Sequence, residues 1–136
     1  MSATDAWDLK TLAATHRKMA EAIAKGLVVA CHDVSDGGVA VAAAEMCIAS
    51  GLGLIVGEGQ FVGDAAFEER PGRYLVELAD VAHGDELRKI LAGAADVTDL
   101  GLVQHLKKLT VTTEKERVIE IGIEEMTQAW RGTLDW

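Results

Sequence analysis

The sequence predicts an α+β fold in which helices pack on a mixed β-sheet. Three observations predict it. Apolar and small residues recur at threes and fours between Leu9 and Ile23, the spacing of an amphipathic helix. Val39 to Ala49 is apolar nearly all round, which implies a helix buried against a sheet. The last third of the chain breaks into short apolar and β-branched runs that read as strands.

Taken in order, Leu9, Leu12, Ala13, His16, Met19, Ala20 and Ile23 share one face of the first helix. Asp5 or Asp8 is placed to cap its start, and Gly26 lies where a C′ glycine belongs. Leu27 to Cys31 reads as a short buried strand, and the helix from Val39 to Ala49 is ended by Gly51. Leu52 to Val56 is a second strand, followed by a turn at Gly57 and Gly59 that matches no phosphate-loop pattern. Arg73 to Leu78 alternates as a strand and leads to Asp80. Gly84 to Ala92 reads as a short helix ending at Gly93. Strands are expected at Val97 to Val103, Leu106 to Thr113 and Arg117 to Ile121, with Thr113-Glu114-Lys115-Glu116 as a hairpin turn. A final helix begins at Ile123 and runs to Trp130.

A length of 136 residues fits one domain. Hydrophobic residues make up 49% of the chain and aromatics only 4%, so the core must be built from Ala, Val, Leu and Ile. A net charge of −9 argues against a nucleic-acid-binding surface. Cys31 and Cys47 form neither a metal tetrad nor a disulfide framework and read as buried small hydrophobes. Met1 to Lys10 has no apolar run of a signal peptide, and no stretch approaches the roughly 18 apolar residues of a membrane span. A cytoplasmic location is expected.

The run Cys31-His32-Asp33-Val34-Ser35-Asp36-Gly37-Gly38 is the candidate functional segment. A strand that passes through a two-glycine loop into a helix turns several backbone N–H groups toward one spot, at the positive end of the helix dipole. Two glycines let a ligand approach the backbone. Asp33 and Asp36 would repel a bare phosphate, so a phosphate accompanied by a metal, or a ligand carrying hydrogen-bond donors, fits better. Asp, Ser and Gly also cap helices with no ligand involved. His32, Asp33 and Ser35 contain the residue types of a hydrolase triad. Near neighbours at one strand end cannot easily form its chain of hydrogen bonds, and no G-x-S-x-G elbow is present. No catalytic nucleophile is assigned. Zinc would need more nitrogen or sulfur ligands, whereas Mg²⁺ shared with a substrate phosphate would accept one or two of these carboxylates. No protein-held metal is assigned. Glu45, on an apolar helix, must reach solvent or meet a cation. Glu69 and Arg73 are four apart and could form a local ion pair. His16, His83 and His105 read as surface or helix-face residues.

The string His32-Asp33-Val34-Ser35-Asp36-Gly37-Gly38, followed by a helix containing Ala44-Glu45-Met46, resembles the C-terminal domain of the synthetase component of phosphoribosylformylglycinamidine synthase. That domain belongs to the superfamily of aminoimidazole ribonucleotide (AIR) synthetase, selenophosphate synthetase, thiamine-monophosphate kinase and the hydrogenase maturation factor HypE. Phe67-x-Glu69-x-x-x-Arg73 before a strand, Leu100-Gly101-Leu102-Val103, and Glu125 to Trp130 resemble further family segments in the expected order. The family's glycine-rich strand upstream of the first helix has no match here, nor does its ATP-binding N-terminal domain, so the chain reads as part of a longer enzyme.

The resemblance implies an AIR synthase-related C-terminal domain fold over residues 1–136. It implies a parent ATP-dependent carbon–nitrogen ligase of purine biosynthesis, which converts formylglycinamide ribonucleotide, glutamine-derived ammonia and ATP to the amidine. There ATP activates the formamide oxygen as a phosphate ester and ammonia displaces it. The domain would position substrate through His32, Asp33, Ser35, Asp36, Gly37 and Gly38, with Glu69 and Arg73 behind them. ATP and Mg²⁺ would be cofactors of the parent, held by its absent domain, and the isolated domain would bind none and be inactive. Expected partners are the N-terminal ATP-binding domain, a glutaminase subunit and the small-molecule substrate, with no nucleic acid or membrane; a homodimer is compatible. Another enzyme of the superfamily, or a non-catalytic interaction module, is the alternative.

Overall fold

Asp8 caps the first helix by accepting a hydrogen bond from the Lys10 N–H at 3.0 Å. The computed structural model describes residues 8–57, 63–112 and 117–132. Its elements are α1 (Leu9–Ala24), β1 (Val28–Asp33), α2 (Gly38–Ser50), β2 (Gly53–Val56), a 3₁₀ turn (Gly63–Phe67), β3 (Tyr74–Leu78), α3 (His83–Leu91), β4 (Gly101–Gln104), β5 (Lys108–Thr112), β6 (Arg117–Gly122) and α4 (Ile123–Gly132). They fall into two compact units, one of residues 1–33 and 71–98, the other of residues 34–70 and 99–136.

In the first unit α1 and α3 accompany a two-stranded antiparallel sheet of β1 and β3. The core is Met19, Ala22, Leu27, Val28, Leu87 and Leu91, with Tyr74, Val76 and Leu78 packed against it. Each large apolar side chain buried here contributes on the order of 1.5–3 kcal/mol. Of the face expected for α1 only Met19 is buried. The inward residues are Thr15, Met19 and Ala22, while Leu9, His16, Ala20 and Ile23 are exposed, because the packing of the unit and not apolar spacing alone sets which side of the helix turns in. The helix stops at a double bond pattern: Gly26 N–H donates to Ile23 and Leu27 N–H to Ala22. With Gly26 at φ 75° this is a Schellman ending. Buried Thr15 donates to both Thr11 and Ala94 carbonyls at 3.0 Å, which ties α1 to the turn after α3. The expectation of a buried strand ending at Cys31 is corrected. The strand extends through His32 to Asp33, because the β3 ladder continues to Asp33↔Tyr74. It also alternates: Val28 is buried, Val29 is 60% exposed, and Cys31 is exposed rather than buried.

In the second unit the sheet order is β4-β2-β5-β6. β2 and β5 are parallel and the outer pairings antiparallel, so the sheet is mixed. One face carries buried Val56, Leu109 and Val111, paired across the strands as Leu54↔Leu109 and Val56↔Val111. α2 packs against β2, β5, α4 and the 3₁₀ turn. Having neighbours on several sides explains why this helix lacks a polar face; Val39, Ala42, Ala43 and Cys47 are its buried residues. Only Gly101–Gln104 of the expected strand at 97–103 is a strand, because only those residues pair with β2. The following strand is likewise confined to Lys108–Thr112. The expected hairpin turn at 113–116 and Gly59 lie outside the described residues. No helix among the described residues is long and apolar enough to cross a membrane.

Candidate functional site

The first unit holds His32 and Asp33, the last two residues of β1. The register puts Asp33 opposite Tyr74, and Arg73 is the next residue beyond that pair. Asp33 and Arg73 therefore share one end of the two-stranded sheet, as strand pairing rather than sequence distance dictates. His32 Nδ1 donates to the Asp33 carbonyl at 2.6 Å. Because a carbonyl only accepts, Nδ1 carries a proton in this contact. Tyr74 also meets His16 of α1, through a bond between its hydroxyl and Nδ1 and an edge-to-face ring contact at 5.7 Å. Burial first, then the charges of Cys31 and Asp33, push the Tyr74 hydroxyl upward. Burial likewise raises the Cys31 thiol, helped by Asp33. No local signal announces this grouping of His16, Cys31, Asp33 and Tyr74, since it depends on β1–β3 register.

The second unit holds Ser35, Asp36, Gly37, Gly38 and Glu69. Gly38 N–H donates to the Ser35 carbonyl at 3.0 Å and closes a four-residue turn. Gly37 has φ 79° and ψ 7°, the third-position geometry of a type II turn, which favours glycine. Gly38, the first residue of α2, also has positive φ, at 67°. A Cβ on Gly38 would stand 2.6 Å from the Phe67 carbonyl carbon and 2.7 Å from the Ala66 carbonyl oxygen. A Cβ on Gly37 would collide with the Val41 side chain. The two glycines are thus required by the fold itself: where a ligand was expected to approach their backbone, the protein's own 3₁₀ turn and helix do so.

No side chain caps α2 at Gly37. Instead Glu69, 32 residues away, accepts the Gly37 N–H at Oε1 over 2.9 Å. This places a carboxylate at the positive end of α2, where the dipole favours it. Ser35 and Asp36 are exposed beside it, and Val34 is buried beneath the loop.

The arrangement suits a ligand that donates hydrogen bonds, such as hydroxyl or amide groups, to the exposed Asp36 carboxylate, while Glu69 is engaged by the Gly37 N–H. It does not fit a polyphosphate that comes without a metal. The segment from Cys31 to Gly38 contains no Lys or Arg, and its carboxylates oppose a polyphosphate. Among the described residues no group of three or more His, Cys, Asp or Glu could hold a metal ion.

The family model for AIR synthase related protein, C-terminal domain, matches residues 3–114. The phosphoribosylformylglycinamidine synthase subunit PurL of Mesorhizobium japonicum is 54% identical over 67 residues, covering 47% of this chain and 9% of that protein. The PurL subunit of Prochlorococcus marinus is 28% identical over an alignment of 136 positions, covering 93% of this chain and 17% of that protein. Among solved structures, PurLQS from Thermotoga maritima superposes with a TM-score of 0.71 at 17% identity, over 85% of this chain and 21% of that one. T. maritima PurL complexed with ATP superposes at 0.68 and 17% identity, over 83% and 21%. These likenesses show the α+β fold. The chain spans less than a quarter of the length of each of these proteins.

Proposed function

The chain belongs to the AIR synthase related protein C-terminal domain family, and on that premise we propose that it is the C-terminal domain of the synthetase subunit of phosphoribosylformylglycinamidine synthase. The observation that carries the reading is the similarity to the Prochlorococcus PurL subunit, which runs through 93% of this chain rather than one motif. The parent is then an ATP-dependent ligase that replaces the formamide oxygen of formylglycinamide ribonucleotide with nitrogen from ammonia. The role of this domain is positional. Asp33, Ser35 and Asp36 offer oxygen acceptors to hydroxyl or amide donors of the substrate. His32, its Nδ1 proton held on the Asp33 carbonyl, adds its ring to the substrate-facing end of β1. Gly37 and Gly38 give the loop its shape, Glu69 holds its Gly37 amide, and Arg73 is a further substrate residue of this reading.

ATP and Mg²⁺ belong to the rest of the parent in this reading, because the segment from Cys31 to Gly38 has no Lys or Arg to hold a polyphosphate and no group of three or more His, Cys, Asp or Glu among the described residues could hold a metal ion. The ATP complex of the Thermotoga neighbour supports ATP as the parent's nucleotide. The PurLQS structure supports a multi-subunit assembly with a glutaminase as source of ammonia. The cytoplasm is the compartment for such an enzyme.

The test is a chimera in which this chain replaces the corresponding domain of a full-length PurL subunit. Amidine formation from formylglycinamide ribonucleotide, ATP and ammonium should return to within about tenfold of the unaltered subunit, a change of about 1.4 kcal/mol in barrier. A chimera that folds and binds ATP yet forms no amidine would overturn the reading.

A further inference from the structure

The Ser35–Gly38 turn is held from outside by one distant segment. Ala66 and Phe67 press their backbone against the Cα of Gly38, and Glu69, two residues on, accepts the Gly37 N–H at 2.9 Å. In a capping box, the acidic residue three positions into a helix reaches back to the N-cap N–H. Here that position is Ala40, which cannot do so. Glu69 performs the same bond from across the fold, at a helix whose N-cap residue has no side chain of its own.

We propose that Glu69 is a positioning residue for the substrate loop and not a substrate contact: its carboxylate fixes the Gly37 amide, and through it the presentation of Ser35 and Asp36. The proposal rests on the reading of this loop as the substrate-facing segment. It distinguishes Glu69 from Asp36, since no hydrogen bond or ion pair among the described residues engages the Asp36 side chain. The working atom of Glu69 is one acceptor oxygen. Glu69→Gln keeps an acceptor oxygen on a side chain of the same length, while Glu69→Ala removes it.

The experiment compares E69A, E69Q and E68A with the unaltered protein. Glu68 is the charge control, because its neighbouring carboxylate pairs with Arg70 at 2.5 Å. Glu69 is exposed, so the variants retain the fold. In this chain, the Gly37 amide should exchange with solvent about 3- to 10-fold faster in E69A, and within about twofold of normal in E69Q and E68A. In the full-length subunit, E69A should raise KM for formylglycinamide ribonucleotide with a smaller change in kcat, and E69Q should restore it. An unchanged Gly37 amide in E69A, or E69Q as damaging to KM as E69A, would overturn the proposal. Faster exchange at Gly37 in E69A with normal kinetics would leave Glu69 as the anchor of the turn and would instead count against the loop as substrate-facing.

Discussion

Gly38 lies against the backbone of Phe67 so closely that a Cβ would stand 2.6 Å from the Phe67 carbonyl carbon. Backbone cannot step aside as a side-chain tip can, and Gly38 is also at φ 67°. Gly38→Ala should therefore destabilise the chain by roughly 3 kcal/mol. Gly37→Ala meets only the half-exposed Val41 side chain and should cost about 1 kcal/mol, mainly for its left-handed backbone. Urea unfolding of both variants measures the difference. Equal losses would show that backbone contact at Gly38 is not the governing constraint.

Asp36 should behave in the opposite way. Its side chain is exposed and caps nothing, so Asp36→Ala should stay within about 0.5 kcal/mol of the unaltered chain. In the full-length subunit the same substitution should slow amidine formation tens to hundreds of fold, the size of effect a lost positioning group produces. Thermal melts and steady-state kinetics on the paired variants separate the two quantities. A large fall in melting temperature with normal kinetics would make Asp36 a structural residue.

Local signals carried much of this architecture. The three- and four-residue spacing of Leu9 to Ile23, Asp8 before it and Gly26 after it define α1 to its ends. The apolar girth of Val39 to Ala49 implied a helix buried against a sheet; α2 does pack on β2 and β5, and on α4 and the 3₁₀ turn besides. Strand ends were less legible because partners set them. His32 and Asp33 look like loop residues until Leu75 and Tyr74 pair with them. Residues 97–100 look like strand but only Gly101 onward meets β2. The site divides in the same way. The glycine requirement at 37 and 38 was visible in the string itself. The bond from Glu69 was not, because nothing local links residues 32 positions apart.

Stability should fall above about pH 9. Burial raises the Cys47 thiol above its ordinary 9.0, the Cys31 thiol above the same value, and the Tyr74 hydroxyl above 10.0. Each group keeps its proton longer in the fold than in the unfolded chain. That stabilisation is complete below the unfolded value and is lost as pH climbs through the folded one. Cys47, on a buried face of α2, should contribute more than exposed Cys31, whose charge water screens. Unfolding free energies at pH 7, 9 and 10.5 should show a shallower alkaline decline in Cys47→Ala than in Cys31→Ala. Identical slopes in the two variants would place the alkaline loss elsewhere.

This chain alone should not hydrolyse ATP. Its net charge of −9 opposes a polyphosphate. The loop that opens α2 has placed the Glu69 carboxylate on its Gly37 amide. The residues around it are Ser35 and Asp36, with no Lys or Arg between Cys31 and Gly38 to balance phosphate charge. Purified protein supplied with ATP, Mg²⁺, formylglycinamide ribonucleotide and ammonium should release no ADP above the buffer rate. Turnover at about 1 per second, an ordinary enzymatic rate, would mean that a nucleotide site exists in this chain. It would also remove the ground for assigning ATP to another part of the parent. Trace hydrolysis that disappears on further purification, while the chain's unfolding profile stays the same, would identify a contaminant and leave the assignment intact.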